Sequence, residues 1–297
     1  MQPFIMNSHA EAFRRLSMGH LDHGLALLSQ SILWSDGNSS LDGPFFLGFP
    51  GFPGWGEGLL LASLLKRYAA SDKKCITVFA PPQICSILKQ ENAFEVHTVQ
   101  HYDEAKSRKA RSPLAILRHA LTGELLQLPF SAIQSFVESE PVDHDDRVGI
   151  VWASRNIGGD TSVEKCIPIC ELLHAIDDGN RMLTSLQRHL SDEESITLRT
   201  RFGGRIRFVD EKVLDAEDQT EALRDIADLD RIVTISTTTA HIAACLGIPV
   251  MLLAARRHGP QWFWRVQAEH RKVIYPTVTV ILGGKGKSWW TPCIPHI

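Results

Sequence analysis

Ser236, Thr237, Thr238 and Thr239 place four hydroxyls in a row, and His241 follows two positions later. Before them runs a β-branched stretch, Arg231 to Ile235, that suits a buried strand. After them, Thr238 to Leu246 has helical spacing, and Gly247 stands where a C-cap glycine ends a helix. The first turn of a helix carries unpaired N–H groups and a partial positive charge, so this turn is a candidate phosphate site. Plain N-capping is the other reading, but a cap needs one hydroxyl. A second candidate is the glycine-rich run ending in Gly54-Trp55-Gly56-Glu57-Gly58. Gly54 and Gly56 permit close approach of backbone to a ligand, or make a tight turn alone. Glu57 is a carboxylate at the start of the next helix. Arg155, Lys165 and Arg188 can supply positive charge.

The elements around the hydroxyl run alternate. Strands are expected near 147–153, 181–187, 205–210, 231–236, 249–255 and 277–282, and helices near 168–176, 191–202, 218–228, 238–246 and 260–268. That pattern predicts a doubly wound parallel sheet with ligands beyond the carboxyl ends of its strands. Those ends carry Trp152-Ala153-Ser154-Arg155-Asn156, Ser185-Leu186-Gln187-Arg188, Asp210-Glu211 and the serine-threonine turn.

The first half reads as two short helices over 9–32 with Gly19 between them, then a turn-rich linker at 36–43. A strand at Phe45 to Leu47, a helix from about Leu59 to Ala69, a strand at Cys75 to Ala80, a helix at Pro82 to Lys89 and a strand at Phe94 to Val99 make a βαβαβ start. Tyr102 to Arg118 is basic and irregular, and reads as a solvated surface more readily than as a loop attracting an anionic acceptor. A helix is expected at Phe130 to Val137, and the acidic run Glu138 to Asp146 is the expected interdomain linker. The domains are therefore a helical extension at 1–40, an N-terminal Rossmann-like domain at 41–145 and a C-terminal one at 146–297.

Composition narrows the function. The chain of 297 residues is 44% hydrophobic and 22% charged, as in soluble globular proteins. A net charge of -3 gives no nucleic-acid signal. No apolar run is long enough to span a bilayer, and the N-terminus lacks a secretory pattern, so a cytoplasmic location is expected. Six scattered cysteines without a Cys-x-x-Cys pair read as thiols in a reducing compartment, and no metal site is expected.

Three motifs are set aside. Gly283-Gly284-Lys285-Gly286-Lys287-Ser288 lacks the earlier P-loop glycine, since Ile281 stands there, and too few residues follow for a helix. The glycines at 54–58 have the wrong spacing for dinucleotide binding, and Pro81 and Pro82 replace the expected acidic residue after the second strand. Tyr102 and Lys106 have the spacing of an epimerase pair, but only three expected strands precede them.

The second half resembles the glycosyltransferase-like domain found after tetratricopeptide repeats in bacteria, related to the family 9 (heptosyltransferase-type) glycosyltransferases. The residues that carry the likeness are Gly149-Ile150-Val151-Trp152, Lys165-Cys166-Ile167-Pro168, Ser185-Leu186-Gln187-Arg188, Ser236-Thr237 with Ala240-His241, Leu246-Gly247-Ile248-Pro249-Val250, Pro260-Gln261-Trp262-Phe263-Trp264 and Tyr275-Pro276. It covers roughly 146–282, and weakly 44–100 through the glycine turn. Three carboxylates of the family pattern differ here: Glu57 stands for an aspartate, Ser236 for the aspartate of an Asp-Thr helix start, and Gln261 for that of a Pro-Asp-Trp turn.

The resemblance implies a GT-B architecture, two Rossmann-like domains facing a cleft, and a nucleotide-diphosphate sugar as donor with no further cofactor. It implies an inverting, metal-independent transfer in which Glu57 takes the proton from an acceptor hydroxyl. Lys165 or Arg188 would neutralise the leaving diphosphate beside Ser236, Thr237, Thr238 and Thr239, with Gly54, Gly56, Asn156, Gln187 and His241 also at the donor. His241 reads equally well as a core histidine, and Trp262 and Trp264 as packing residues. The acceptor would be a glycan, a lipid-linked sugar or a protein, and peripheral membrane contact is compatible with it. The alternative is a catalytically impaired module of the same fold that binds a nucleotide or a partner protein.

Overall fold

The computed structural model describes residues 11–12, 14–31, 43–48, 55–72, 75–100, 102–111, 116–117, 146–154, 165–256, 262–270, 274–286 and 288–297. The chain divides into two compact units, Met1–Ile133 with Gln261–Pro276, and Gln134–Pro260 with Thr277–Ile297. The helix expected at Phe130 to Val137 and nearly all of the acidic linker lie outside the described residues.

In the first unit, helical residues at 11–12 and 14–17 come before helix α1 (Leu21–Ser31), in keeping with the two short helices expected there. Gly19 precedes it at φ +78, a left-handed conformation that glycine adopts without strain. Strands β1 (Phe45–Phe46), β2 (Ile76–Ala80) and β3 (Phe94–Thr98) form a parallel sheet in that order. Helices α2 (Trp55–Asp72) and α3 (Pro82–Leu88) connect them. Pro81 caps α3 and Pro82 occupies its first turn, where a missing N–H costs nothing.

Helix α4 (Tyr102–Ser107) forms where the sequence reads as irregular. Asp103 and Glu104 at its start and Lys106 at its end suit the helix dipole. Beyond it, Arg111 returns beside β1: its N–H donates to the Pro44 carbonyl and its carbonyl accepts from Phe46 N–H. The chain thus runs outward through β2 and β3, then back to the other side of β1.

Helix α2 begins at Trp55, four residues earlier than its sequence suggests. Gly58 lies inside it because a Cβ there would stand 2.2 Å from Ile84 Cδ1 and 2.9 Å from the Leu47 carbonyl oxygen. The helix packs this closely onto the exit of β1, and glycine is what permits it.

Residues 261–276, read from sequence within the C-terminal domain, group with the first unit. Helix α10 (Trp262–His270) presents Phe263 and Trp264 to the interior. The Trp264 ring lies 4.8 Å from that of Phe263 and 5.4 Å from that of Tyr275. Gln267 accepts from Ile274 and Tyr275 N–H and donates to the Tyr275 carbonyl. Buried Arg67 of α2 donates to the Ile274 carbonyl at 3.2 Å, and the His270 ring lies against Gly19.

The second unit holds six parallel strands in the order β6-β5-β4-β7-β8-β9. They are β4 (Arg147–Val151), β5 (Met182–Ser185), β6 (Ile206–Phe208), β7 (Arg231–Ile235), β8 (Val250–Ala254) and β9 (Val278–Leu282). Helices α5 (Ile169–Ile176), α6 (Asp192–Phe202), α7 (Glu211–Asp215), α8 (Thr220–Ala227) and α9 (Thr238–Cys245) alternate with them. All six strands expected from the apolar runs form. Val148, Ile150, Trp152, Leu172, Leu183, Leu198, Val233 and Leu253 belong to one buried core. No helix among the described residues is long and apolar enough to cross a membrane.

Candidate functional site

Because the six strands run parallel, their carboxyl ends share one edge of the sheet. Neighbouring β4 and β7 mark the place where the strand order reverses. Connections leave such a point in opposite directions and open room for a ligand. After β7 come Ser236 and Thr237, then α9. After β4 come Trp152 to Ser154, and the chain is described again from Lys165.

Thr237 is the N-cap of α9, extended at φ -136 and ψ 168, yet its side chain makes no capping bond. Its Oγ1 lies instead 3.2 Å from Oγ1 of Thr234. Buried Thr234 is committed to the Ile235 carbonyl at 2.9 Å. The first N–H groups of α9 therefore have no cap from Thr237. Ser236, Thr237, Thr238 and Thr239 are all half-buried.

Ser236 and Lys165 line one small depression together with Ile235, Leu253, Ala254, Ala255 and Trp289. Main-chain bonds hold Lys165 there: Ser154 N–H donates to its carbonyl at 3.3 Å, and Ile167 N–H donates to the Trp152 carbonyl at 2.8 Å. The amino end of α9, Ser236 and Lys165 thus lie together at the switch point. That set of groups binds anions, and phosphate above all.

Gln187 is 6% exposed, and both ends of its amide serve backbone. Its Oε1 accepts from Trp152 N–H at 3.1 Å and Ala153 N–H at 2.9 Å. Its Nε2 donates to the carbonyls of Ala153 at 3.0 Å and Arg188 at 2.8 Å. Gln187 therefore ties the exit of β5 to the exit of β4. Arg188 turns to α7, where it pairs with Asp215 at 3.1 Å and donates to the Leu214 carbonyl. Burial lowers its pKa, and the nearby Asp215 and Glu211 oppose that shift.

His241 lies within α9 at 3% exposure, and burial alone lowers its pKa to about 3. It is neutral at physiological pH and brings no positive charge to the helix start. Thr238 and Thr239 occupy the first turn, as their position in the sequence suggests. Gly54 and Asn156 lie outside the described residues. Gly56 and Glu57 belong to the first unit, in the first turn of α2 after β1. Gly56 is buried and Glu57 half-buried. The parallel neighbours of β1 are β2 on one side and Arg111 on the other, so Glu57 follows the strand at which that unit's order reverses.

His189, Glu211 and Asp215 bring ligand atoms within 4.8 Å of one another. All three are exposed, Nδ1 of His189 contacts Glu211, and Arg188 is paired with Asp215. Each carboxylate of this trio already has a side-chain partner, which disfavours it as a metal centre.

Trp289 is the residue that sequence reading missed. It is 1% exposed, lines the depression with Lys165 and Ser236, and its indole Nε1 has no hydrogen-bond partner among the described residues. The glycines before it, which superficially suggest a phosphate loop, instead hold it. Gly284 N–H donates to the Trp289 carbonyl at 2.7 Å, and Gly283 N–H donates to the Ala254 carbonyl at 2.9 Å.

No protein-family model matches the sequence, and no curated protein does. Among solved structures, the chain is similar to the E. coli heptosyltransferase WaaC with ADP, at a TM-score of 0.57 and 13% identity over 85% of this chain and 97% of that one. The same enzyme with ADP-2-deoxy-2-fluoro heptose gives a TM-score of 0.54 at 12% identity, again over 85% and 97%. The E. coli ADP-heptose lps heptosyltransferase II gives 0.52 at 13% identity over 83% and 92%. At such identities the likeness shows the fold: an α/β chain of the GT-B type with two parallel sheets.

Proposed function

We propose that the chain is an inverting, metal-independent glycosyltransferase that moves a sugar from a nucleotide-diphosphate donor to an acceptor hydroxyl. The observation that carries this reading is the amino end of α9, uncapped by Thr237 and placed with Ser236 and Lys165 at the switch point of the six-stranded sheet. A solved neighbour of the same fold holds ADP, which supports a nucleotide diphosphate as the ligand class. The N–H groups of α9 and the Lys165 ammonium stabilise the charge that develops on the leaving diphosphate, so no metal ion or further cofactor is needed. Glu57 acts as the base that takes the acceptor proton, and such a base contributes about 10²–10⁴-fold. The acceptor is a glycan, a lipid-linked sugar or a protein hydroxyl.

A second reading, a nucleotide-binding module without turnover, is favoured by the commitment of Gln187 to backbone and of Arg188 to Asp215. Ser236 and Gln261 also stand where carboxylates are expected. Calorimetric titration with UDP, GDP, ADP and CMP, followed by transfer assays with sugars of the nucleotide that binds, separates the two. Binding with transfer that survives EDTA and is lost in Glu57→Gln supports the enzyme. Binding with no sugar released from any donor supports the module. No binding of any nucleotide sinks both.

A further inference from the structure

Every buried tryptophan N–H needs an acceptor, and that of Trp289 has none among the described residues. Leaving a buried donor unpaired is unfavourable, so its position calls for a cause. The ring is not free to turn elsewhere. Its face belongs to the core that contains Ile235, Leu253 and Ala255, and Trp290 meets it edge-on with ring centres 6.2 Å apart. Its backbone is held by the turn at Gly283 and Gly284. A Cβ on Gly283 would stand 2.1 Å from the Trp289 carbonyl oxygen and 2.9 Å from ring atom Cε3. The two glycines thus let the indole settle against the exits of β7 and β8, beside Ser236 and Lys165.

We propose that Trp289 is a ligand-binding residue of the anion site, its indole N–H donating to a phosphate oxygen held at the amino end of α9. The assignment rests on the proposed diphosphate site and adds to it a neutral, uncharged donor from the far end of the chain. Protein covers the N–H, so binding involves a small local shift that brings an acceptor to it. A donor already desolvated and fixed loses little on meeting an anion, whereas a solvated lysine must shed water first. Trp289 therefore adds direction to the site, and Lys165 adds charge.

The test is calorimetric titration of the full chain with inorganic pyrophosphate and with ADP, for the unaltered protein and for Trp289→Phe. Phenylalanine keeps an aromatic ring in the core and removes the N–H. A lost bond to a charged oxygen weakens binding about tenfold, equivalent to about 1.4 kcal/mol. Equal affinity in both proteins overturns the role of Trp289 and leaves the proposed function standing. Failure of the unaltered chain to bind either probe removes the proposed function and this inference with it. An indole ¹H–¹⁵N spectrum of the unaltered chain gives a second readout that does not depend on the variant folding. One of the cross-peaks from its seven tryptophans should move downfield, saturably, with pyrophosphate. Binding without movement of any indole signal overturns the assignment.

Discussion

Replacing Gln187 by leucine keeps the volume of the side chain and removes four hydrogen bonds at once. The Trp152 N–H then lies buried without its acceptor, at a cost of about 1–3 kcal/mol. Ala153 is half-buried, so water compensates part of what its N–H and carbonyl lose, and about 1 kcal/mol is added. The sum is about 2–4 kcal/mol, which lowers a thermal midpoint by roughly 5–12 °C. Differential scanning calorimetry measures that shift. Titration with the nucleotide that binds best, well below the lowered midpoint, measures the affinity. The clamp predicts a destabilised chain whose residual folded protein binds with affinity reduced only through displacement of the β4 exit. A variant with an unchanged midpoint and abolished nucleotide binding would refute this reasoning and make Gln187 a ligand contact.

Three further outcomes are expected. His241 is held neutral by burial with a pKa of about 3, below its ordinary value of 6.5, so the unfolded chain takes up a proton that the folded chain refuses as pH falls. Its contribution is intact above pH 6.5 and falls by about 2 kcal/mol by pH 5, so denaturant midpoints compared at pH 7 and pH 5 should show a slope that His241→Gln flattens. Gly58→Ala drives a methyl group into Ile84 and the Leu47 carbonyl and should destabilise the first unit by about 1–3 kcal/mol, with Ile84→Val restoring only part, as thermal melts will report. Lys165→Met should weaken pyrophosphate binding about tenfold and reduce its dependence on salt, read by titration at low and high ionic strength.

The sheet of the second unit was legible because each of its strands is a short apolar run, and such runs need no knowledge of their neighbours. Helix α7 was not, since five residues, Glu-Lys-Val-Leu-Asp, carry too little periodicity. The start of α2 was hidden because Gly56 and Gly58 read as breakers, whereas Gly58 answers to a close contact with Ile84, distant in sequence. At the candidate site, Ser236 and Lys165 could be read locally, and they line one depression. Gln187 and Arg188 could not. A polar residue after a strand suggests a ligand, and only the fold shows that the partners of Gln187 stand 34 and 35 positions away or next door. Trp289 escaped for the same reason, because an unpaired donor has no signature in sequence.

The excursion of residues 261–276 into the first unit constrains how the protein is made. A ribosome releases β8 before α10, and α10 before β9, the edge strand of the second sheet. Neither unit is contiguous, so a nascent chain halted at residue 260 has neither the Trp264–Tyr275 packing nor β9. Domains that fold one after another during synthesis can be cut apart and studied singly. Here the first unit must wait until residues 261–276 are made, and a clone ending at the linker yields an N-terminal part without the Trp264–Tyr275 packing.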